Sequence, residues 1–269
     1  MTAKLLVVGA GKMGEALLAG VLSSGWASAD EVAVCEVSAV RRQQLVAPGA
    51  LLDRYRGVTL GDGPIGPAQG AVVAVKPADV RTTCEALRAA GVPRVLSIAA
   101  GVRLAELESW CGPDVAVIRA MPNTPAQVGA GATALSKGAR ASEEDLQWAV
   151  SLMSSVGLSV TVPEKMLDAV TGLSGSGPAY VFLVAEALIE GGVLAGLPRP
   201  TARDLAVQTL LGAARMMAET GELPEVLRAG VTSPGGTTAA GLRRLEAAAT
   251  RSAFIEAVAA AAARSQELG

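Results

Sequence analysis

The chain has 269 residues, 51% of them apolar and 3% aromatic, with a formal net charge of −2 and no histidine. Few aromatics and no basic excess argue against a nucleic-acid partner or an anionic membrane surface. The missing imidazole excludes a Ser-His-Asp triad and histidine metal ligands, and Cys35, Cys84 and Cys111 form no C-x-x-C pair, so neither a metal site nor a disulfide framework is expected.

In chain order, short β-type runs alternate with helical patterns over residues 1–162, which predicts an α/β fold with a Rossmann-like, doubly wound sheet. Strands are expected at Lys4–Gly9, Glu31–Cys35, Ala71–Val75, Arg94–Ile98, Val115–Arg119, Ala130–Leu135 and Leu158–Val162. Helices are expected at Lys12–Ser24, Ala78–Ala90, Leu104–Trp110 and Glu143–Ser155, the last capped by Ser142. From 163 to 269 the strand-like runs stop, and helices are expected at Pro178–Gly192, Pro200–Thr220, Thr237–Ala248 and Arg251–Gln266. Pro178 and Pro200 suit first turns, while Gly191-Gly192 and Gly221 read as stops. The helix from Pro178 is apolar nearly all round, and a unit of about 100 residues has little interior to hide it, so an all-α, dimer-forming second domain is expected. The apolar run Leu5–Ala10 is too short to span a bilayer and has no charged leader, so a cytoplasmic protein without a membrane partner is expected.

Gly9-Ala10-Gly11-Lys12-Met13-Gly14 fits G-x-G-x-x-G between an apolar strand and a helix. Gly9 serves the tight turn, Gly11 the approach of a pyrophosphate and Gly14 the packing of helix on sheet; the bland reading is a plain βα turn. Glu36 ends the second strand, where an acid bonds the ribose hydroxyls of NAD. Ser38, Arg41 and Arg42 follow and would offset a 2′-phosphate, unless the arginines are only a solvated helix face. NAD and NADP both stay open.

Three further segments fall where parallel strands end: Ala74-Val75-Lys76-Pro77, Ala99-Ala100-Gly101-Val102, and Ala120-Met121-Pro122-Asn123-Thr124-Pro125. Together they suggest a rigid groove for the nicotinamide, with Lys76 and Asn123 as hydrogen-bonding groups; singly, each is an ordinary turn. In the second half, Ser233-Pro234-Gly235-Gly236-Thr237-Thr238 leads into a helix, a setting for a carboxylate on backbone N–H groups, or else a simple cap made by Thr237. Thr171–Pro178 reads as a second Gly/Ser loop, serving either site closure through Ser176 or close subunit packing.

The segments Gly9–Gly14, Ala74–Pro77, Ile98–Val102, Ile118–Pro125, Asp168–Tyr180, Gly196–Arg199 and Ser233–Thr238 resemble pyrroline-5-carboxylate reductases along the chain. Ser-Pro-Gly-Gly-Thr-Thr and the Asp168–Tyr180 run are far more specific than the phosphate loop. The resemblance implies a homodimer whose sites are built with the partner's helical domain; a larger ring of dimers stays open. It also implies NADPH or NADH as cofactor, leaning to NADPH, and contacts to it from Gly9–Gly14, Ala74–Pro77 and Ile98–Ala100. Thr238 is the implied catalytic residue; Ser233, Gly235, Gly236, Thr237 and Thr238 would hold the imino acid, with Glu164 nearby. The chain departs from other members at Leu60-Gly61-Asp62, which lacks an asparagine, and at Gly230. Two rivals remain at this level. A β-hydroxyacid dehydrogenase would carry a lysine on the helix after Pro178, which has none. A non-catalytic dinucleotide sensor would leave Ser233–Thr238 without a purpose.

Overall fold

The structure, a computed structural model, describes residues 2–63 and 66–268. It divides into two compact units, Met1–Gly175 together with the end of the last helix from Ala261, and Ser176–Ala260.

In the first unit the strands are β1 (Leu5–Val8), β2 (Val32–Cys35), β3 (Thr59–Gly61), β4 (Ala71–Val73), β5 (Arg94–Ser97), β6 (Ala116–Met121), β7 (Gly131–Lys137) and β8 (Gly157–Thr161). They form one sheet ordered β3-β2-β1-β4-β5-β6-β7-β8. β1 to β6 are parallel, β7 runs antiparallel to β6, and β8 is parallel to β7. The order reverses between β1 and β4, the switch point where this fold takes its ligand.

Both faces of the sheet are covered, so its strands read as continuous apolar runs. Leu5 and Val7 enter one buried cluster with Leu17, Leu18 and Met153, and Leu6 and Val8 enter another with Leu87, Val95 and Leu107. That two-residue alternation fixes the register, since a slip of one would exchange the faces. The flanking helices are α1 (Lys12–Ser23), α2 (Ala39–Val46), α3 (Leu51–Arg54), α4 (Val80–Ala89), α5 (Leu104–Cys111), α6 (Glu143–Met153) and α7 (Leu167–Val170). Ser142 caps α6 as expected: its Oγ accepts from Asp145 N at 3.1 Å, and the Asp145 carboxylate reaches back to Ser142 N at 2.9 Å.

The expected strands and helices are all present within a few residues. β3, α2, α3, α7 and a later helix, α10 (Pro224–Gly230), were not anticipated. β3 is three residues long, and α2 buries only Leu45, so neither carries a legible period. Thr171–Pro178 is not a loop. Thr171–Gly175 is wound as a π-turn, with Thr171 Oγ1 donating to Leu167 O and Ser174 Oγ to Val170 O. Such turns are rare and cluster at functional sites.

The expected division after 162 differs from the packing, which keeps residues 163–175 with the sheet. Leu167 and Gly172 are buried there, and Ser265 Oγ donates to Asp168 at 2.7 Å, which ties the end of the last helix to this unit.

The second unit holds α8 (Gly177–Leu194), α9 (Arg199–Thr220), α10, α11 (Thr237–Ala247) and most of α12 (Thr250–Leu268). Pro178 and Pro200 lie in first turns. Gly221 ends α9 in a left-handed conformation at φ +66°. Gly191-Gly192 does not stop α8: a Cβ on Gly192 would stand 3.1 Å from the Cβ of Ala202, so Gly192 serves the close crossing of α8 and α9. The stop is Gly196, at φ +101°. No residue of α8 is buried, and Phe182 and Leu183 are 62% and 64% exposed. An apolar surface of that extent marks an association face.

Candidate active site

β1 delivers the chain into Gly9, whose φ of +91° only glycine tolerates easily. A Cβ there would lie 2.7 Å from Ala74 O, and one on Gly14 only 2.1 Å from Gly9 O. Both glycines are therefore demanded by packing. Gly11 differs. It is the N-cap of α1, no side chain caps it, and a Cβ on it would meet nothing within 4 Å. The first-turn N–H groups of α1 face that opening, as a pyrophosphate requires.

The loop borders a cavity of about 680 Å³ along the carboxyl ends of β1 to β4, lined by Gly9, Gly11, Glu36, Val37, Ser38, Asp62, Gly63, Ala74, Val75, Lys76 and Thr82 among others. Lys76 is exposed at its mouth and has no ion-pair partner among the described residues. Size, position and donors all fit a dinucleotide.

Glu36 is 8% exposed and braces the phosphate loop: Ala10 N donates to its Oε2 and Ser38 N to its Oε1, both at 2.8 Å. Burial, and then the charge of Glu36, push the neighbouring Cys35 thiol up from its ordinary value. Neither arginine is a solvated face. Arg41 donates from Nε to Ala10 O at 2.7 Å and pairs with Glu15. Arg42 donates to the carbonyls of Glu36 and Val37 and pairs with Asp62 at 2.6 Å. Ser38 caps α2, its Oγ accepting from Arg41 N.

Gly63 and Thr82 were missed as wall residues by sequence reasoning, and Asp62 was met only as a departure from other members, not as a wall residue or a partner of Arg42. The signal for Asp62 is its place at the end of a parallel strand, but β3 was too short to see.

Ile98 and Ala99 continue from β5, Ala99 buried and Ala100 exposed. Asn123 departs from expectation. It is 9% exposed, Oδ1 accepts from Ala132 N at 2.8 Å and Nδ2 donates to Ser174 O at 3.0 Å. Its amide is committed to bracing β7 and the π-turn rather than aimed at a cofactor. Glu164 is likewise engaged: Oε1 accepts from Leu104 N at 2.7 Å and from Arg119 at 2.9 Å. Lys12 and Met13 form the first turn of α1.

In the second unit, Gly235 turns the chain at φ +68°, and Gly236, not Thr237, is the N-cap of α11, with no side-chain cap. A Cβ on Gly236 would fall 2.4 Å from Ser233 Oγ, so glycine there brings the hydroxyl against the backbone. Thr237 and Thr238 open α11, Thr238 half-buried. The helix start thus offers unpaired N–H groups beside the hydroxyls of Ser233 and Thr238, suited to a small carboxylate. Ser176 holds the N-cap position of α8 without a side-chain bond.

A dinucleotide loop at the switch point of a parallel sheet, in a chain that also carries an anion-ready helical unit with an unpartnered apolar face, defines an oligomeric nicotinamide-dependent oxidoreductase. A family model for pyrroline-5-carboxylate reductase dimerisation matches residues 164–268, and the pyrroline-5-carboxylate reductase of Synechocystis sp. is 45% identical over 277 residues, covering 100% of this chain and 99% of that protein. The chain belongs to the pyrroline-5-carboxylate reductase family. The solved pyrroline-5-carboxylate reductase of Coxiella burnetii superposes with a TM-score of 0.91 at 36% identity, covering 100% of this chain and 99% of that one. The pyrroline carboxylate reductase of Plasmodium falciparum, solved with NADP bound, gives 0.83 at 27% identity, with 99% and 98% covered.

Proposed function

We propose that the chain reduces 1-pyrroline-5-carboxylate to L-proline, the last step of proline biosynthesis, with NADPH or NADH. The observation that carries this reading is the uncapped start of α11 beside Ser233 and Thr238, in a chain that also holds the dinucleotide loop and matches reductases of this name over its full length.

When bound, the reduced nicotinamide supplies a hydride. The free N–H groups of Thr237 and Thr238 take the substrate carboxylate, the Gly236 N–H being held by Ser233 O at 3.0 Å, while Ser233 helps orient the substrate and the Thr238 hydroxyl is the group set against the ring nitrogen. Hydride adds to the C=N carbon while the nitrogen of the protonated imine keeps its proton and becomes the secondary amine of proline. No general acid is needed in that step, which suits a protein without histidine. The residues act by positioning and by fixed dipoles.

Glu164 serves this reading as a charge-paired support through Arg119, and Ser176 as part of the rim. A site complete for catalysis takes the helical unit of a second copy, with α8 in the contact. The three free thiols agree with a cytoplasmic setting. The rival dehydrogenase class lacks its lysine, since none occurs in Gly177–Leu194.

The test is to follow loss of reduced-nicotinamide absorbance with pyrroline-5-carboxylate and to identify the product. Proline formed in step with cofactor oxidation is expected. A folded dimer that binds cofactor yet oxidises none would overturn the substrate.

A further inference from the structure

The first unit carries a charge arrangement that bears on which cofactor it takes, a question resting on the dinucleotide reading above. Glu36 and Ser38 end β2 on the wall of the cavity, where the adenosine ribose of this fold lies. A carboxylate only accepts hydrogen bonds and has about four lone-pair sites. The N–H groups of Ala10 and Ser38 occupy two of them at Glu36. The remaining two suit the donors of a ribose 2′,3′-diol. A 2′-phosphate has no matching donor and brings a second negative charge to an almost buried one.

The cations that would relieve that repulsion are already spent. Arg41 is paired with Glu15 and bonded to Ala10 O, and Arg42 is paired with Asp62 and bonded to two carbonyls. Each arginine is matched by one carboxylate, which leaves the charge of Glu36 unbalanced at this end. Lys76 leaves from β4, on the other side of β1 from β2, roughly 10 Å or two strand spacings away.

We propose that Glu36, with Arg42 held off by Asp62, makes this chain select NADH over NADPH by excluding the 2′-phosphate. The preference is for the bound state and does not depend on turnover.

Calorimetric titration of the intact protein with NADH and, separately, NADPH tests this without catalysis. NADH is expected to bind about 10- to 100-fold tighter at low salt, the difference shrinking as ionic strength rises. Glu36→Gln removes the charge in nearly the same shape and should bring the ratio to within about threefold. Because Glu36 also braces the loop, Asp62→Asn is the second variant: Asp62 is 59% exposed, and releasing Arg42 should improve NADPH relative to NADH by about 3- to 10-fold. NADPH binding as tightly as NADH to the unmodified protein overturns the proposal, and so does a ratio unmoved in both variants. A folded protein that binds neither dinucleotide removes the dinucleotide reading as well.

Discussion

Three glycines within six residues carry different burdens, which can be tested at the scale of one methyl group. Gly14→Ala places a Cβ 2.1 Å from Gly9 O, and backbone against backbone has no flexible end to yield. It should lower stability by about 1–3 kcal/mol or more, read as a fall in midpoint in denaturant. Gly11→Ala opens onto free space at φ −61°, so at most the difference between glycine and alanine as N-caps, about 1 kcal/mol, should appear in stability. Its effect belongs to binding: the methyl stands where the pyrophosphate approaches, and dinucleotide affinity should fall roughly tenfold or more. A Gly11→Ala protein with unchanged affinity would mean the loop does not hold the phosphates. Thr238→Ala is expected to lower kcat by roughly 10- to 1000-fold, the range for one positioned polar group, while cofactor affinity holds. Equal kcat would remove Thr238 from the reaction.

At the scale of elements, the π-turn and β7 are joined through one side chain. Asn123→Ala strands the N–H of Ala132 and the carbonyl of Ser174, two groups in a part-buried setting, and should cost about 2–4 kcal/mol in denaturant unfolding. Asn123→Asp, which keeps only the acceptor, should fall between. A cost below about 0.5 kcal/mol for Asn123→Ala would mean water replaces the amide without penalty. The long elements were legible in advance: β1 is a continuous apolar run because both its faces are buried, and α6 opens on a serine cap and three acids. The short ones were not. β3 gains its order from its parallel neighbour β2 and α2 from Arg42 reaching Asp62, contacts between residues 20 or more apart that no local pattern records. Losing β3 from the reading is what hid Asp62, and with it the fate of Arg42.

For the whole molecule, α8 is the apolar face left bare within the chain. An apolar helix with none of its residues buried is costly in water, and the proposed dimer would cover it. Leu183→Asp, at a position 64% exposed, should leave the fold of each unit intact while placing a charge in that contact. Light scattering should find a monomer, and, on the proposed reading that a second copy completes the site, turnover should drop below about a tenth. A variant that remains dimeric would move the interface away from this face of α8.

The sequence by itself determined the α/β then all-α order, the phosphate loop, the glycines and hydroxyls before α11, and an apolar helix that could not stay bare. These are local: a turn needing a positive φ, a helix start, a period of two or 3.6. Only the tertiary structure decided that Gly11 alone of the loop glycines faces open space. It also decided that the Asn123 amide braces β7 and the π-turn, that Glu164 binds the Leu104 N–H and Arg119, and that Arg41 and Arg42 are matched to carboxylates beside Glu36. Each of those outcomes depends on which distant group fills a hydrogen-bonding site first, and that competition is settled by packing, which spacing along a chain does not encode.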